Sequence, residues 1–353
     1  MMAATNLSII TLNVSGLRND LDRLHFFRNL TTTRADIFLL QETHSIITDR
    51  RKWTDEWREM SDGGDIYFSH SPQSDSRGAA ILTNGSFDHR PIDQMYDQNG
   101  RIITLTLETH DIRFQIINVY APNTDKTEFY ESLDPFVDPS SFTIIGGDFN
   151  LVIDNSLDRI HCAHIPTDGV QAFKDFINAY SLVDPFREDN PDAKVFTWRE
   201  SAERARARER RLGYPQNISQ SRLDRFYIPR TEYTQLATNT SFTHIPTGVF
   251  RQSDHTAVHM TFPIPKTPTR GPGIWKIPTH KIQNKHYICR IRGFWRTWQL
   301  RKPDFQSVSD WFAAGKNYIR CISRDFFNQE KRKEDLELNT LRQKLSKWMK
   351  AII

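Results

Sequence analysis

The decapeptide Ser141-Phe142-Thr143-Ile144-Ile145-Gly146-Gly147-Asp148-Phe149-Asn150 constrains this chain more than any other stretch. Thr143 to Ile145 is short, apolar and β-branched, the makeup of a buried strand. Two glycines close the run and admit backbone angles that other residues resist. Asp148 and Asn150 follow, just past the strand end, at the edge where α/β proteins collect reacting groups. A carboxylate takes a proton or holds a cation, and an amide orients what the carboxylate acts on. The same spacing is also ordinary turn chemistry, so the decapeptide means a site only in company.

The company is present. Apolar runs at Leu7 to Leu12, Ile37 to Leu40 and Phe114 to Val119 deliver Asn13, then Gln41 and Glu42, then Tyr120-Ala121-Pro122-Asn123. Ser221-Arg222-Leu223-Asp224 leads a strand reaching Ile228, and Ser253-Asp254-His255 precedes one at Val258 to Phe262. Further strands are expected at Ile66 to Phe68, Ala79 to Leu82 and Val195 to Trp198, with Ile102 to Leu107 alternating as a half-buried strand does. Asn19 and Asp20 open a helix with Leu21, Leu24, Phe27 and Leu30 on one face. Helices are also expected at Thr48 to Glu59 and Thr127 to Phe136, and Asp168 is placed to cap one carrying Val170, Phe173, Phe176 and Ile177. Hairpin-length and helical connections alternate, so the fold expected is α/β, two mixed β-sheets packed face to face with helices outside. A hard cation such as Mg²⁺ takes a few carboxylate or amide oxygens and keeps several waters. Glu42, helped by Asn13 and Asp254, suits it, with Mn²⁺ a workable substitute. His255 has an acid beside it, and Asp224 is placed to hold its tautomer.

Charge divides the 353 residues unevenly. Residues 266–353 hold 20 Lys/Arg against 7 Asp/Glu, while the remainder is acidic, so the net +4 hides an acidic front and a basic tail. That asymmetry suits a chemistry-bearing domain, 1–262, joined to a segment that favours polyanions. The Pro/Gly-dense stretch 263–282 reads as a linker, and 283–353 as a basic, Trp-rich helical connector. Near its end Leu338, Leu341, Leu345, Trp348 and Ile352 form a short heptad-like stripe, and the chain stops with that helix unfinished, as a fragment of a longer polypeptide would. Three scattered cysteines form neither a disulfide framework nor a zinc box. No apolar run approaches membrane-spanning length, so no membrane partner is expected.

In order along the chain, Leu12-Asn13-Val14-Ser15-Gly16-Leu17, Leu40-Gln41-Glu42-Thr43, Asn118-Val119-Tyr120-Ala121-Pro122-Asn123, Gly146-Gly147-Asp148-Phe149-Asn150, Ser221-Arg222-Leu223-Asp224 and Ser253-Asp254-His255 resemble the exonuclease–endonuclease–phosphatase superfamily. More narrowly the set looks like the apurinic-type endonuclease domain of LINE (non-LTR) retrotransposons. Gly271-Pro272-Gly273-Ile274-Trp275-Lys276 and Phe294-Trp295-Arg296-Thr297-Trp298 are similar to the connector that follows it. The resemblance implies that Glu42 binds Mg²⁺ near Asn13, with Asp254 at the metal edge. Asp148 would activate the attacking water and Asn150 orient it, while His255, fixed by Asp224, meets the scissile phosphate together with Tyr120 and Asn123. It implies nicking of double-stranded DNA to a 3′-hydroxyl that primes reverse transcription, element RNA as a partner through the parent polyprotein, and work in the nucleus after cytoplasmic synthesis. Alternatives are an abasic-site repair endonuclease, a phosphoesterase acting on a non-nucleic substrate, and a binding module that has lost catalysis. Two departures bear on the first: Ser15 stands where repair enzymes have Asp, and Ser221 where they place a Trp of the abasic pocket.

Phe196-Thr197-Trp198-Arg199 and Ser221-Arg222-Leu223-Asp224 look like adjacent strands joined by a long Arg-rich connection. In the family this connection is a hairpin that enters a DNA groove. Arg204, Arg206 and Arg208 alternate, so an extended ribbon would point all three one way. By the same resemblance Thr197, Arg199, Ser221 and Ser253, with Asn123 and these arginines, are expected to contact DNA.

Overall fold

The computed structural model describes residues 6–109, 112–138, 141–162, 168–215, 217–236, 240–245, 253–263, 282–305, 307–316, 318–323, 325–327 and 330. The chain divides into two compact units, Met1–Glu131 with Asp138–Gly273, and Ser132–Val137 with Ile274–Ile353.

Two six-stranded sheets make up the first unit. One is ordered β14 (Ser241–Ile245), β15 (Ala257–Pro263), β1 (Asn6–Asn13), β2 (Ile37–Gln41), β4 (Ala79–Thr83), β3 (Ile66–Ser69). The other is ordered β10 (Leu182–Val183), β13 (Asp224–Pro229), β8 (Phe142–Asp148), β7 (Ile112–Tyr120), β6 (Ile102–Thr109), β5 (Arg90–Tyr96). A small third sheet joins β11 (Trp198–Arg199), β12 (Gln220–Ser221) and β9 (Arg159–Ile160). The expected pair of mixed sheets with helices outside is what forms. β5 and β14 were not anticipated: β5 carries Pro, Asp and Gln and sits at a sheet edge, where composition speaks weakly.

Strand alternation explains the layering. Leu7, Ile9, Ile37 and Leu39 enter the core between the sheets with Leu105, Ile116, Ile144 and Phe226. Ile10, Leu12, Phe38 and Leu40 point the other way, under Phe26 and Phe27 of α1 (Asp20–Thr31) and Trp53 and Trp57 of α2 (Arg50–Met60). Both faces are thus apolar, as doubly covered strands require. β6 follows the same rule and is buried on both faces, not half-buried as its alternation suggests, because Thr104 and Thr106 are covered too. Leu21, expected on the core face of α1, is 78% exposed, and Arg23 takes that place, paired with Glu56 at 2.7 Å. Asp168 does not cap α4 (Val170–Ala179), whose N-terminus follows Gly169 in the left-handed region. Its carboxylate instead accepts from the backbone N–H of Lys126, the first residue of α3 (Lys126–Glu131).

Registry places the sheet ends together. β1 and β2 run parallel with Asn13 opposite Gln41, and β7 and β8 run parallel with Tyr120 opposite Asp148. β13 is antiparallel to β8, so Asp224, its first residue, lies directly opposite Asp148. β15 is antiparallel to β1, so the residues preceding it return to the same rim.

The two glycines under Asp148 serve different contacts. A Cβ on Gly146 would meet the ends of Leu39 and Phe226 side chains at 2.7 Å. On Gly147, at φ +143°, it would lie 1.9 Å from the Val119 carbonyl oxygen, which cannot move without breaking β7.

Two short helices, α5 (Pro185–Asp189) and α7 (Arg230–Leu236), lie against β13. In the second unit, α8 (Lys285–Leu300) starts at Asn284, whose side chain accepts from the N–H of His286 and Tyr287. Phe294 stacks on Trp298, Tyr318 packs against both, and the Trp311 indole donates to the Trp298 carbonyl at 3.1 Å. The expected linker, apart from Pro263 and Ile282, and the stripe from Leu338 to Ile352 lie outside the described residues.

Gly147→Ala should therefore cost about 3 kcal/mol or more of stability, and Gly146→Ala less, since flexible side chains relax more readily than backbone. Urea unfolding of both variants is the check; equal midpoints would contradict this reading of the two contacts.

Candidate active site

At the shared rim Asn13 is buried and donates from Nδ2 to Glu42 Oε1 at 3.1 Å and to Asp148 Oδ2 at 3.0 Å. Its Oδ1 accepts from the Ser15 N–H. Asn13 was expected among the metal ligands; here its N–H groups face both carboxylates and its oxygen faces the Ser15 backbone, so that it ties the two acids together. Glu42 itself has φ +53°, turning its side chain out of the strand line, and Tyr120 Oη donates to its Oε1 at 2.7 Å. Burial first, and Glu42 next, raise the Tyr120 phenol well above its ordinary pKa, so it keeps its proton.

Asp148 is gripped on its other oxygen by the Asn150 N–H at 2.9 Å, while Asn150 Nδ2 donates to the Ala121 carbonyl at 2.7 Å. His255 Nδ1 meets Asp224 Oδ2 at 2.9 Å, and Nε2 lies 3.8 Å from Asp148 Oδ2. Burial pushes the Asp148 carboxyl up to about 6; His255 pulls against that and Asp224 adds to it. Burial alone would lower the His255 imidazole, but Asp224 and Asp148 hold it up at about 10.

These groups open on one cleft of about 550 Å³. Of the residues expected at the site, Glu42, Asn123, Asp148, Asn150, Arg204, Ser221, Asp254 and His255 line it. Asp254 accepts from the Trp198 indole at 3.0 Å and lies 3.6 Å from Arg204. Ser253 Oγ donates to the Asn13 carbonyl and accepts from the His255 N–H, tying the two loops together. Thr197, expected on DNA, is buried; its Oγ1 accepts from the N–H of both Leu223 and Asp224 at 2.9 Å and so steadies Asp224. Arg199 is exposed on β11.

The Arg-rich connection is not an extended ribbon. It is helix α6 (Ala202–Leu212), capped by Ser201, which accepts from the Arg204 N–H, and ended by Gly213 at φ +79°. Ala, Glu and Arg are strong helix formers, and a Ser before them with a Gly after is the boundary signal that sequence reading passed over. A helix separates the three arginines. Arg204 faces the cleft and Arg206 is exposed, but Arg208 is largely buried on Glu200, Ser219 and the Asn217 carbonyl. Two cleft cations, Lys126 and Arg159, were absent from the sequence expectations; neither lies at the end of an apolar run.

A profile of the Endonuclease/Exonuclease/phosphatase family matches residues 10–255. The chain belongs to this family. It is accordingly a hydrolytic nuclease, and nucleases of the family depend on a divalent metal. The chain is 27% identical over 341 residues to the Xenopus laevis transposon TX1 uncharacterized 149 kDa protein, covering 95% of this chain but only 24% of that relative. The solved AP endonuclease LMAP of Leishmania major superposes with a TM-score of 0.55 at 19% identity, covering 74% of this chain and 88% of its own. The endonuclease domain of TRAS1, a telomere-specific non-LTR retrotransposon, gives 0.50 at 16% identity, covering 74% and 100%. Both show the same fold. Among the described residues no helix is long and apolar enough to cross a membrane.

A divalent cation fits the residues present. Glu42 Oε2 has no hydrogen bond among the described residues, and Asp254 offers a second carboxylate on the same cleft, a hard-oxygen set with room for water. Asp148, Asp224 and His255 also bring ligand atoms within 4.8 Å of one another. There, however, the imidazole is already bound to Asp224, and Asn13 and the Asn150 N–H already hold Asp148.

The His255 shift is upward, from 6.5 to about 10, so its stabilising contribution is complete below pH 6.5 and lost as pH climbs through about 10. Metal-free protein should lose stability over that window, and His255→Gln should flatten the dependence. Thermal melts across pH 6–10 read it, and parallel curves for the two proteins would contradict it.

Proposed function

We propose that this chain nicks one strand of double-stranded DNA by Mg²⁺-assisted hydrolysis, leaving a 3′-hydroxyl and a 5′-phosphate. The observation that carries the reading is the geometry of a buried carboxyl, Asp148, 3.8 Å from the His255 imidazole that Asp224 holds at 2.9 Å, on the cleft that Glu42 also lines. A general base works best when its pKa lies near the operating pH. Asn13 and the Asn150 N–H hold one Asp148 oxygen each, which fixes the direction from which a proton is taken from water. His255, with Nδ1 held by Asp224, presents Nε2–H to the phosphoryl oxygens, where negative charge grows during cleavage. Asn123 supplies a further donor at the same place, while Tyr120, whose hydroxyl donates to Glu42, holds that carboxylate in position. When bound, Mg²⁺, or Mn²⁺ in its stead, would be held by Glu42 and Asp254 and would neutralise that charge as a Lewis acid. Arg204 and Arg206 of α6, with Arg199 beside it, contact the flanking backbone.

Similarity to a transposon protein supports placing this activity inside a longer polyprotein. There the 3′-hydroxyl primes reverse transcription of element RNA in the nucleus. Ser221, small where repair enzymes carry a Trp, favours undamaged DNA over abasic sites.

Supercoiled plasmid in Mg²⁺ should be converted to open circles. Glu42→Ala, Asp148→Ala and His255→Ala should each lower the rate by roughly 10²-fold or more with the circular dichroism spectrum unchanged. Arg204→Ala with Arg206→Ala should weaken binding and flatten its salt dependence, whereas Arg208→Ala should lower the melting temperature. Nicking at the wild-type rate by any of the first three removes that residue from the mechanism.

A further inference from the structure

In the second unit, α8 carries four Lys/Arg and no Asp or Glu. Its apolar side is occupied. Tyr287 and Trp298 are buried, Tyr287 packs against Phe326 and Phe327, and Phe294 stacks on Trp298. At 3.6 residues per turn, Lys285, Arg292 and Arg296 fall within about 40° of one another on the opposite side. All three are exposed, and among the described residues none has a carboxylate within ion-pair distance. A Cβ on Gly293, beside them, would meet nothing within 4 Å. Other cations of the unit are engaged: Arg290 pairs with Asp325 and Arg301 with Asp304, while Lys302 and Lys316 lie over the rings of Trp311 and Phe312.

Like charges four residues apart on an exposed helix face repel and weaken it, and Arg292 and Arg296 stand in that relation. A face needed only for solubility mixes both signs. This one collects a single sign, as a surface for a polyanion does. Its other side chains narrow the choice. Single-stranded nucleic acid is held by aromatic rings on which bases stack, and this face offers none. Trp295, at its border, is half-buried and packs against Trp311, with 5.5 Å between ring centroids. Between the cations lie only Cys289 and Gly293, which cannot read base edges. A duplex backbone asks for charge and reach alone. The face is about 16 Å long at 1.5 Å per residue, and the phosphates of one strand step by about 3.4 Å along the duplex axis, so it spans several of them.

We propose that the Lys285, Arg292 and Arg296 face of α8 binds the phosphate backbone of duplex DNA, without regard to sequence and apart from the cleft. The choice of DNA as the duplex rests on the nuclease reading. The face gives that substrate a second point of attachment on the same chain. When one attachment lets go, the other keeps the duplex at high local concentration.

Duplex binding by the full chain in metal-free buffer, where cleavage plays no part, tests it. Lys285→Gln, Arg292→Gln and Arg296→Gln combined should flatten the slope of log affinity against log salt by about 3. The change should be equal on two duplexes of unrelated sequence. Arg292→Lys with Arg296→Lys should keep the wild-type slope. The Gln variant should melt no earlier than the wild type, since it loses a repulsion and no ion pair. Should it melt early, Arg296→Gln alone carries the test, with a change of about 1. An unchanged slope would overturn the face. So would a change confined to one of the two duplexes, or stronger competition by single-stranded RNA or DNA than by duplex of equal length. Wild-type protein that binds as described but never nicks plasmid in Mg²⁺ would leave the face standing and sink the nuclease reading. Nicking by the wild type with an unchanged slope in the variant would sink the face alone.

Discussion

Two carboxylates, Asp148 and Asp224, face one another on neighbouring strands, both buried, and a single imidazole keeps that arrangement tenable. Like charges at that spacing in a low dielectric repel strongly. His255 answers the repulsion from the opposite sheet's connecting loop, bonding Asp224 directly and lying within reach of Asp148. The rim therefore holds together only when both sheets are present and in register. Asn13 makes a second tie of the same kind, reaching from β1 to Asp148 on β8.

The scaffold below is built to serve that rim. Gln41 Nε2 donates to Asn118 Oδ1 at 2.6 Å, a buried polar link between the sheets one layer beneath the acids. Gly147 lets β8 approach Val119 closely enough to bring Asp148 level with Tyr120. Thr197, Ser253 and the Asn150 N–H add short bonds to backbone or carboxylate, each removing freedom from one reacting group. Such preorganisation matters because donors already aimed at the developing charge need no reorganisation during the reaction.

Much of this was legible in the chain because the candidate site residues here follow strands, and strands announce themselves. Asn13, Glu42, Tyr120, Asp148 and Asp224 each adjoin an apolar run whose pairing could be anticipated. What escaped lacked that signal. β5 is polar and lies at an edge. Alternating arginines at 204, 206 and 208 suit a ribbon as well as a helix, and only the Ser201 and Gly213 boundaries decide between them. The bonds from the Asn13 amide to Glu42 and Asp148 depend on both sheets meeting and have no local trace.

The central claim is that water, deprotonated at Asp148, attacks one phosphorus in line with its 3′-oxygen. Nicking DNA in ¹⁸O-water and analysing the ends tests it most directly. One ¹⁸O in the 5′-phosphate of the product, with a 3′-hydroxyl that a polymerase extends, is the predicted result. Label in a 3′-phosphate, or a 5′-phosphate formed without label, would contradict it.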